Sequence, residues 1–193
     1  MAKEIIFIRH SSLAVPRGMC YGFSDIDVSP NFSIEAEWLK LKLASFEPQI
    51  VISSPLKRCF KLSEEVFDKP VKLENDLREV NYGNWEGKMW EDIDVEGDNL
   101  WMYKNINNCP PNGESFSQLQ ARVVNVLDKV KALEQEKVAV VCHGGVIRSL
   151  LAHLLSTPLE NTRIFDIHYV GFVKFVKNNE GWRLAELNAG FKQ

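Results

Sequence analysis

The chain has 193 residues, of which 45% are hydrophobic, and it carries a formal net charge of −3. This length favours a single domain over residues 1–193, and the hydrophobic fraction is too high for a disordered chain. The slightly acidic composition provides no basic surface for nucleic acid or for an anionic membrane, so the sequence predicts neither partner.

The sequence shows neither a targeting segment nor a pattern of paired cysteines. The first apolar run, residues 5–8, is too short for a signal peptide or a membrane span, which predicts a cytoplasmic protein. The four cysteines form no CxxC pair, so free or buried thiols are favoured over a disulfide framework or a zinc site. No group of histidine, cysteine and carboxylate residues has the spacing of metal ligands, and we expect neither a metal nor a cofactor.

Three short apolar runs predict buried strands, and each run ends on polar residues. They are "EIIFIRH" (4–10), "QIVISSP" (49–55) and "KVAVVCHGG" (137–145). β-branched and aromatic residues continue along these runs without polar alternation, which is typical of strands that are covered on both faces.

Helical stretches alternate with these strands, at 56–67, 115–135 and 146–155. Pro55 after Ser54 predicts the start of the first helix, and Ser115 with Gln118 predicts a capping box on the second. Residues 171–188 alternate around Asn-Asn-Glu-Gly and predict a hairpin at the edge of the sheet. The sequence therefore predicts an α/β fold, a three-layer α/β/α sandwich with a mostly parallel central sheet and an edge hairpin.

Residues 84–113 follow no regular period and include Trp85, Trp90 and Trp101. An irregular stretch of this length in a compact domain is usually a lid or a binding element. We therefore predict a lid or specificity insertion at about 84–113, with packing as the alternative role of the tryptophans.

The ends of the predicted strands concentrate groups that bind and transfer phosphate. Ligands of open α/β sheets bind at the carboxyl ends of the strands, where this chain has Arg9, His10, Arg58 and His143. Arginines beside a helix N-terminus predict an anion site. A neutral imidazole can attack phosphorus while arginines neutralise the phosphoryl oxygens, and Glu79 could supply a proton to the leaving group. Each residue taken alone has a structural alternative, such as a helix cap or a surface charge.

Five segments resemble, in order, the motifs of the histidine phosphatase superfamily, also called phosphoglycerate mutase-like. They are "FIRHSS" (7–12), "SSPLKRC" (53–59), "LREVNYGNWEG" (77–87), "PNGESFSQLQARV" (111–123) and "VVCHGGVIR" (140–148). The resemblance covers nearly the whole chain and implies a phosphomonoesterase with a phosphohistidine intermediate. Residues 18–29 are most like the α-ribazole phosphatase branch, which implies α-ribazole 5′-phosphate, a precursor in cobamide biosynthesis, as a substrate.

The resemblance also implies roles for individual residues. His10 would be the phosphorylated nucleophile, Glu79 the proton donor, and Arg9, Arg58 and His143 the phosphate clamp. The residues implied to bind the substrate are Arg9, Ser11, Tyr21, Gly22, Arg58, Glu79, His143 and Gly144. Two positions depart from the family pattern, since Ser11 stands where most members have glycine and Pro16 where many have asparagine.

Two other mechanisms remain open. Cys142 and Arg148 fit the Cys-x5-Arg pattern of cysteine-dependent phosphatases, although Cys142 is also expected as a small buried residue at a strand end. A cofactor-dependent phosphoglycerate mutase-like phosphotransferase would need extensive closure over the phosphohistidine. The chain ends soon after its last predicted strand, so hydrolysis is favoured. The predicted partner is a small phosphomonoester, and the protein would act as a monomer or a homodimer.

Overall fold

The computed structural model describes residues 1–93, 101–188 and 190–191. The strands in these ranges are β1 (Glu4–Arg9), β2 (Ile50–Ser53), β3 (Val71–Leu73), β4 (Lys137–Cys142), β5 (Phe172–Asn178) and β6 (Gly181–Asn188). They form one sheet with the order β3-β2-β4-β1-β5-β6. The α-helices in the same ranges are α1 (Phe32–Lys42), α2 (Lys57–Val66), α3 (Trp101–Lys104), α4 (Phe116–Lys131) and α5 (Gly144–Leu155).

The pairing of the strands confirms the predicted sheet. β1 to β4 run parallel to one another, whereas β5 is antiparallel to β1 and β6 is antiparallel to β5. The turn between β5 and β6 falls at the predicted Asn-Asn-Glu-Gly sequence. β3 was not predicted, because its three residues are too few and too exposed to form an apolar run.

Both faces of the sheet are covered, which explains why the strands lack polar alternation. Ile5 and Phe7 of β1 point to the core formed with α4 and α5, while Ile6 and Ile8 point to the core formed with α1 and α2. The mostly parallel α/β fold with helices on both sides is thus confirmed. No helix in the described ranges is long and apolar enough to cross a membrane.

One predicted helix start is confirmed and one is wrong. Ser115 Oγ accepts a hydrogen bond from Gln118 N, and Gln118 Oε1 accepts one from Ser115 N, so the capping box of α4 forms. By contrast, α2 begins at Lys57 and not at Pro55. The physical reason is that Leu56 keeps an extended backbone, while the Ser54 hydroxyl lies 2.8 Å from His143 Nε2.

The described part of the 84–113 insertion consists of short helical turns around an aromatic cluster. The Trp85 and Trp101 ring centroids are 4.9 Å apart, and Trp90 contacts both Trp85 and Tyr82. Packing is therefore the observed arrangement of the three tryptophans. Residues 94–100 lie outside the described residues, and the lid or specificity role of the insertion stays a prediction.

Candidate active site

The register of the sheet brings the strand ends together. Arg9 of β1 pairs with Cys142 of β4, so the residues that follow them, His10 and His143, are neighbours. Their ring centroids lie 5.2 Å apart, and His10 N donates a hydrogen bond to Cys142 O. The neighbouring strand β2 is followed by α2, and α2 places Arg58 beside His143.

His10 is a buried, neutral imidazole with one free nitrogen. Its Nδ1 lies 2.7 Å from Ser11 O, and because a carbonyl can only accept, Nδ1 carries the proton. The lone pair is then on Nε2. Burial, reinforced by the charges of Arg58 and Arg9, lowers the pKa of His10 well below its ordinary value of 6.5. The ring is therefore in the form that can act as a nucleophile at neutral pH.

Arg58 is fully buried and held on three sides. It donates from Nη2 to Gly22 O, from Nη1 to Ser24 O and from Nε to His143 Nδ1, at 2.6, 2.7 and 3.3 Å. A guanidinium has five N–H groups, so two have no partner among the residues that the structure describes. These contacts fix the orientation of a charged group that would otherwise have rotamer freedom.

His143 has partners at both ring nitrogens. Its Nδ1 accepts from Arg58, so Nε2 is protonated and donates to Ser54 Oγ at 2.8 Å. Burial and the Arg58 charge lower the pKa of His143 well below its ordinary value. In this arrangement the ring supports Arg58 and Ser54, and its predicted contact with phosphate stays a prediction.

Arg9 and Ser11, the neighbours of His10 in the chain, each carry a buried donor. Arg9 Nη1 donates to Ile167 O at 2.7 Å, and its guanidinium carbon lies 4.3 Å from the centroid of the Tyr169 ring. Arg9 Nε and Ser11 Oγ are both buried and have no hydrogen-bond partner among the described residues. A buried donor left in this state costs about 1–3 kcal/mol, and an anionic ligand would remove that cost.

Glu79 lies against the first turn of α5. Its Oε2 accepts from Gly145 N at 2.9 Å, and its Oε1 accepts from Val80 N at 3.0 Å. A Cβ atom on residue 145 would lie 2.3 Å from Glu79 Oε1, so a side chain there would displace the Glu79 carboxylate from this position. The predicted proton donor is thus held next to the helix N-terminus that follows His143.

Glu114, a second carboxylate close to this segment, pairs with an arginine. Both of its oxygens accept from Arg122, at 2.5 and 3.1 Å, and Oε1 also accepts from Asn81 N. The ion pair ties Glu114 to α4, which favours Glu79 as the acid.

The remaining predicted residues surround this centre. Tyr21 OH lies 3.1 Å from Tyr169 OH, and the Tyr21 ring faces Arg58. Gly22 contributes its carbonyl to Arg58, and a Cβ there would lie 1.8 Å from Val80 O. A Cβ atom on residue 144 would lie 3.0 Å from Arg148 Nη1 and 3.4 Å from Arg9 Nε, so Gly144 is close to both arginines. Pro16 is exposed and borders a groove of about 480 Å³ next to Tyr21 and Tyr169.

Tyr169 was not predicted from the sequence, although its ring centroid lies 5.7 Å from that of His10. It precedes β5, and Val170 N donates to His10 O because β5 is the antiparallel neighbour of β1. No sequence motif surrounds Tyr169, so its proximity to His10 could have been inferred only from the order of the strands. Ser54 was expected as a helix cap and instead contacts His143.

The cysteine mechanism finds no support in the geometry. Cys142 is fully buried in the core that also contains residues of α4 and α5. Burial raises the pKa of its thiol well above the usual range, whereas a nucleophilic cysteine needs to be a thiolate. The alternative prediction, a small buried residue at the end of a strand, fits Cys142 better.

The described residues contain no group of three or more histidine, cysteine, aspartate or glutamate side chains that could hold a metal ion. The expectation that the protein uses neither metal nor cofactor stays a prediction.

The fold and the residues at its strand ends are those of a phosphate-transferring α/β enzyme. Residues 5–190 match the family model of the histidine phosphatase superfamily (branch 1), and the chain belongs to this family. Proteins that align with most of this chain carry the name phosphatase. The protein is a phosphoric monoester hydrolase.

The relatives differ in their named substrates. The chain is 27% identical over 164 residues to phosphoserine phosphatase 1 of Hydrogenobacter thermophilus, covering 81% of this chain and 78% of the relative. It is 27% identical over 133 residues to adenosylcobalamin/alpha-ribazole phosphatase of Escherichia coli, covering 65% and 66%. The solved structure of a mycobacterial glucosyl-3-phosphoglycerate phosphatase superposes with a TM-score of 0.83 at 25% identity, covering 98% of this chain and all of that chain.

Proposed function

We propose that the protein hydrolyses a small phosphorylated metabolite in two steps, through a phosphohistidine on Nε2 of His10. The observation that carries this proposal is the tautomer of His10. Its Nδ1–H is held by Ser11 O and its pKa is lowered by burial, so Nε2 is an unprotonated nucleophile. The flanking residues Arg9 and Ser11 each have a buried polar atom without a partner in the described part of the chain.

In the first step, Nε2 of His10 attacks phosphorus and the ester P–O bond breaks. Arg9, Arg58, the Ser11 hydroxyl and the N-terminus of α5 neutralise the phosphoryl oxygens as charge redistributes. Glu79 gives its proton to the departing alkoxide. In the second step, water attacks phosphorus and passes a proton to Glu79 while the P–N bond breaks, which releases inorganic phosphate and restores the neutral imidazole.

α-Ribazole 5′-phosphate is one candidate substrate. It is supported by the resemblance of residues 18–29 to the α-ribazole phosphatase branch and by the Escherichia coli relative of that name. Phosphoserine and glucosyl-3-phosphoglycerate have the same kind of support from the other relatives. A phosphate-release panel should compare these three with 3-phosphoglycerate, sugar phosphates and a phosphotyrosine peptide. Release of phosphate to water, without transfer to a second phosphoglycerate, would separate a hydrolase from a mutase.

His10→Ala tests the chemistry. We expect turnover to fall by about 10⁴-fold or more, because the covalent path is lost, while the variant stays folded. Rapid quenching of the parent enzyme with labelled substrate should trap an acid-labile, base-stable phosphoenzyme. His153→Ala, which changes an exposed ring on α5, is the matched control and should keep full turnover. An acid-stable adduct on Cys142 would contradict the proposal.

A further inference from the structure

The peptide unit between Ser11 and Ser12 is held from both sides. Its carbonyl oxygen, Ser11 O, lies 2.7 Å from His10 Nδ1 and accepts the proton of that nitrogen. Its amide nitrogen, Ser12 N, donates to Oε2 of Glu35 at 2.7 Å. Because the carbonyl and the amide belong to one planar group, the glutamate and the imidazole are linked through a single peptide unit.

Glu35 reaches this peptide from the buried side of α1. The residue is only 1% exposed, and Ala36 and Leu39 are the neighbouring buried residues of the helix. An apolar residue in its place would extend that buried side, whereas a buried acidic side chain is costly unless it is hydrogen-bonded. The glutamate is therefore unfavourable for packing, and its bond to Ser12 N is a contact that an apolar residue could not make.

The loop around Ser12 has anchors besides Glu35. Ser12 Oγ lies 2.6 Å from Ser29 Oγ, and Ser12 O accepts from Ser29 N at 2.9 Å. These contacts hold the side chain and the carbonyl of Ser12, whereas Glu35 holds the amide that is shared with the Ser11 carbonyl. The orientation of that carbonyl is thus the feature that Glu35 controls most directly.

The Ser11 carbonyl matters because the His10 ring becomes positive during the proposed reaction. Nδ1 keeps its proton while Nε2 forms the bond to phosphorus, so the phosphorylated ring carries a positive charge. Burial and the nearby arginines, Arg58 and Arg9, oppose such a charge and lower the pKa of His10, while the hydrogen bond to the carbonyl acts in the opposite direction. A carboxylate on the amide of the same peptide polarises the unit and makes its carbonyl oxygen a stronger acceptor.

We propose that Glu35 is a positioning residue for the nucleophile. Through the peptide between Ser11 and Ser12, it fixes the tautomer of His10 and stabilises the positive ring that forms when Nε2 attacks phosphorus. This inference rests on the proposed function, because it assumes that His10 is the nucleophile. Glu35 touches neither the substrate nor the reacting atoms, and no proton moves along the hydrogen bonds. It acts as an orienting carboxylate for a catalytic imidazole, with a peptide unit between the two groups.

Glu35→Gln and Glu35→Ala test this role in two stages. Glutamine removes the charge, but its side-chain oxygen can still accept from Ser12 N. With nitrophenyl phosphate, whose leaving group needs no acid, we expect the burst of His10 phosphorylation to be about 5–10-fold slower, the difference between a charge-assisted and a neutral hydrogen bond. Alanine also removes the acceptor, and we expect a loss of about 10–100-fold. Inhibition by inorganic phosphate should change less than about threefold in both variants, because the arginines of the phosphate clamp keep their contacts.

Two control variants separate this role from a general loosening of the region. Glu37→Gln changes an exposed carboxylate on the same helix. Ser29→Ala removes the hydroxyl contact to Ser12 Oγ and leaves the contacts of the peptide between Ser11 and Ser12 in place. We expect the burst of both variants to stay within about twofold of the parent.

NMR spectra that correlate ring nitrogens with ring protons report the tautomer of His10 independently of turnover. The parent should show His10 protonated on Nδ1, and Glu35→Ala should show a fraction protonated on Nε2. A parent protonated on Nε2 would overturn the inference even where the variants fold poorly. An unchanged burst in Glu35→Ala, an equal slowing in Ser29→Ala, or a matching loss of phosphate inhibition would also overturn it. Failure of the chemistry itself would instead show as turnover that survives His10→Ala.

Discussion

Two neighbouring histidines of the site have opposite tautomers. His10 is protonated on Nδ1 because its neighbour there is the Ser11 carbonyl, which leaves Nε2 free. His143 is protonated on Nε2 because Nδ1 accepts from Arg58. One ring is therefore equipped to attack and the other to orient its neighbours. The difference comes from one backbone carbonyl and one guanidinium, which the Arg-His and Cys-His sequences alone do not distinguish.

Glu79→Gln tests proton donation to the leaving group. An alkoxide leaves poorly unless it is protonated, whereas nitrophenolate leaves without that help. With an alkyl phosphate as substrate, we expect phosphorylation of His10 to be about 10²–10⁴-fold slower in the variant, which is the usual range of general acid catalysis. With nitrophenyl phosphate, we expect phosphorylation of His10 to slow much less. The measurement is the pre-steady-state burst, which separates formation of the phosphohistidine from its hydrolysis.

Val80 N and Gly145 N donate to different oxygens of Glu79, so glutamine can accept from one of them through its carbonyl oxygen and loses the hydrogen bond to the other. The control is Glu91→Gln, which changes an exposed carboxylate and should leave both bursts unchanged. Equal slowing of phosphorylation with both leaving groups would assign Glu79 a structural or electrostatic role.

At the scale of elements, α4 anchors the segment that carries Glu79. Arg122 of α4 donates to the carbonyls of Asp76, Arg78 and Glu79 at 2.6–2.8 Å and also pairs with Glu114. These contacts connect a helix that starts at the capping box to residues 76–79, which form the end of a 3-10 turn and the extended chain after it. The position of Glu79, the predicted proton donor, thus depends on a side chain of a different element.

We therefore expect Arg122→Gln both to displace Glu79 and to lower the stability of the folded protein. Loss of the arginine leaves Glu114 and three carbonyls with fewer partners, and we expect a loss of about 2–4 kcal/mol in the free energy of unfolding. Activity on an alkyl phosphate should fall more than activity on nitrophenyl phosphate, because the acid is displaced. Lys129→Gln, on the same helix, breaks only an exposed pair with Asp76 and should change stability by less than about 0.5 kcal/mol. An Arg122→Gln variant with normal stability would contradict this role.

The elements that the sequence predicted are those whose pattern is local. The apolar runs of β1, β2 and β4 indicated strands, and Ser115 with Gln118 indicated the cap, because each depends on residues within a few positions. α1 was not predicted, since its buried side includes Glu35, which accepts from Ser12 N and interrupts any apolar stripe. Tyr169 and the partners of Arg58 depend on contacts between distant segments, which one sequence does not encode as a pattern.

At the scale of the whole molecule, the charge distribution is uneven. The chain is net negative, yet Arg9, Arg58 and Arg148 lie at one end of the parallel strands. A site with this sign attracts phosphate esters although the average surface does not attract anions. The cytoplasmic location and the oligomeric state, monomer or homodimer, remain predictions that rest on the sequence.

The two buried histidines also predict how stability depends on pH. Burial and Arg58 lower the pKa of both His10 and His143 in the folded protein, while an unfolded chain has values near 6.5. Below that pH the unfolded chain binds more protons than the folded one, so protons favour unfolding. The free energy of unfolding should therefore fall as pH drops through 6.5, by up to about 1.4 kcal/mol per pH unit for each histidine.

Urea unfolding at several pH values between 7.5 and 5.5 measures this slope. His10→Asn and His143→Asn should each flatten it, because each removes one group that gains a proton on unfolding. His153→Asn changes an exposed ring and should keep the slope of the parent protein. Carboxylates contribute mainly at lower pH, since their ordinary pKa values lie near 4. A stability that stays constant or rises from pH 7.5 to 5.5 would mean that the two imidazoles accept protons in the folded state, and the neutral nucleophile proposed for His10 would then lose its physical basis.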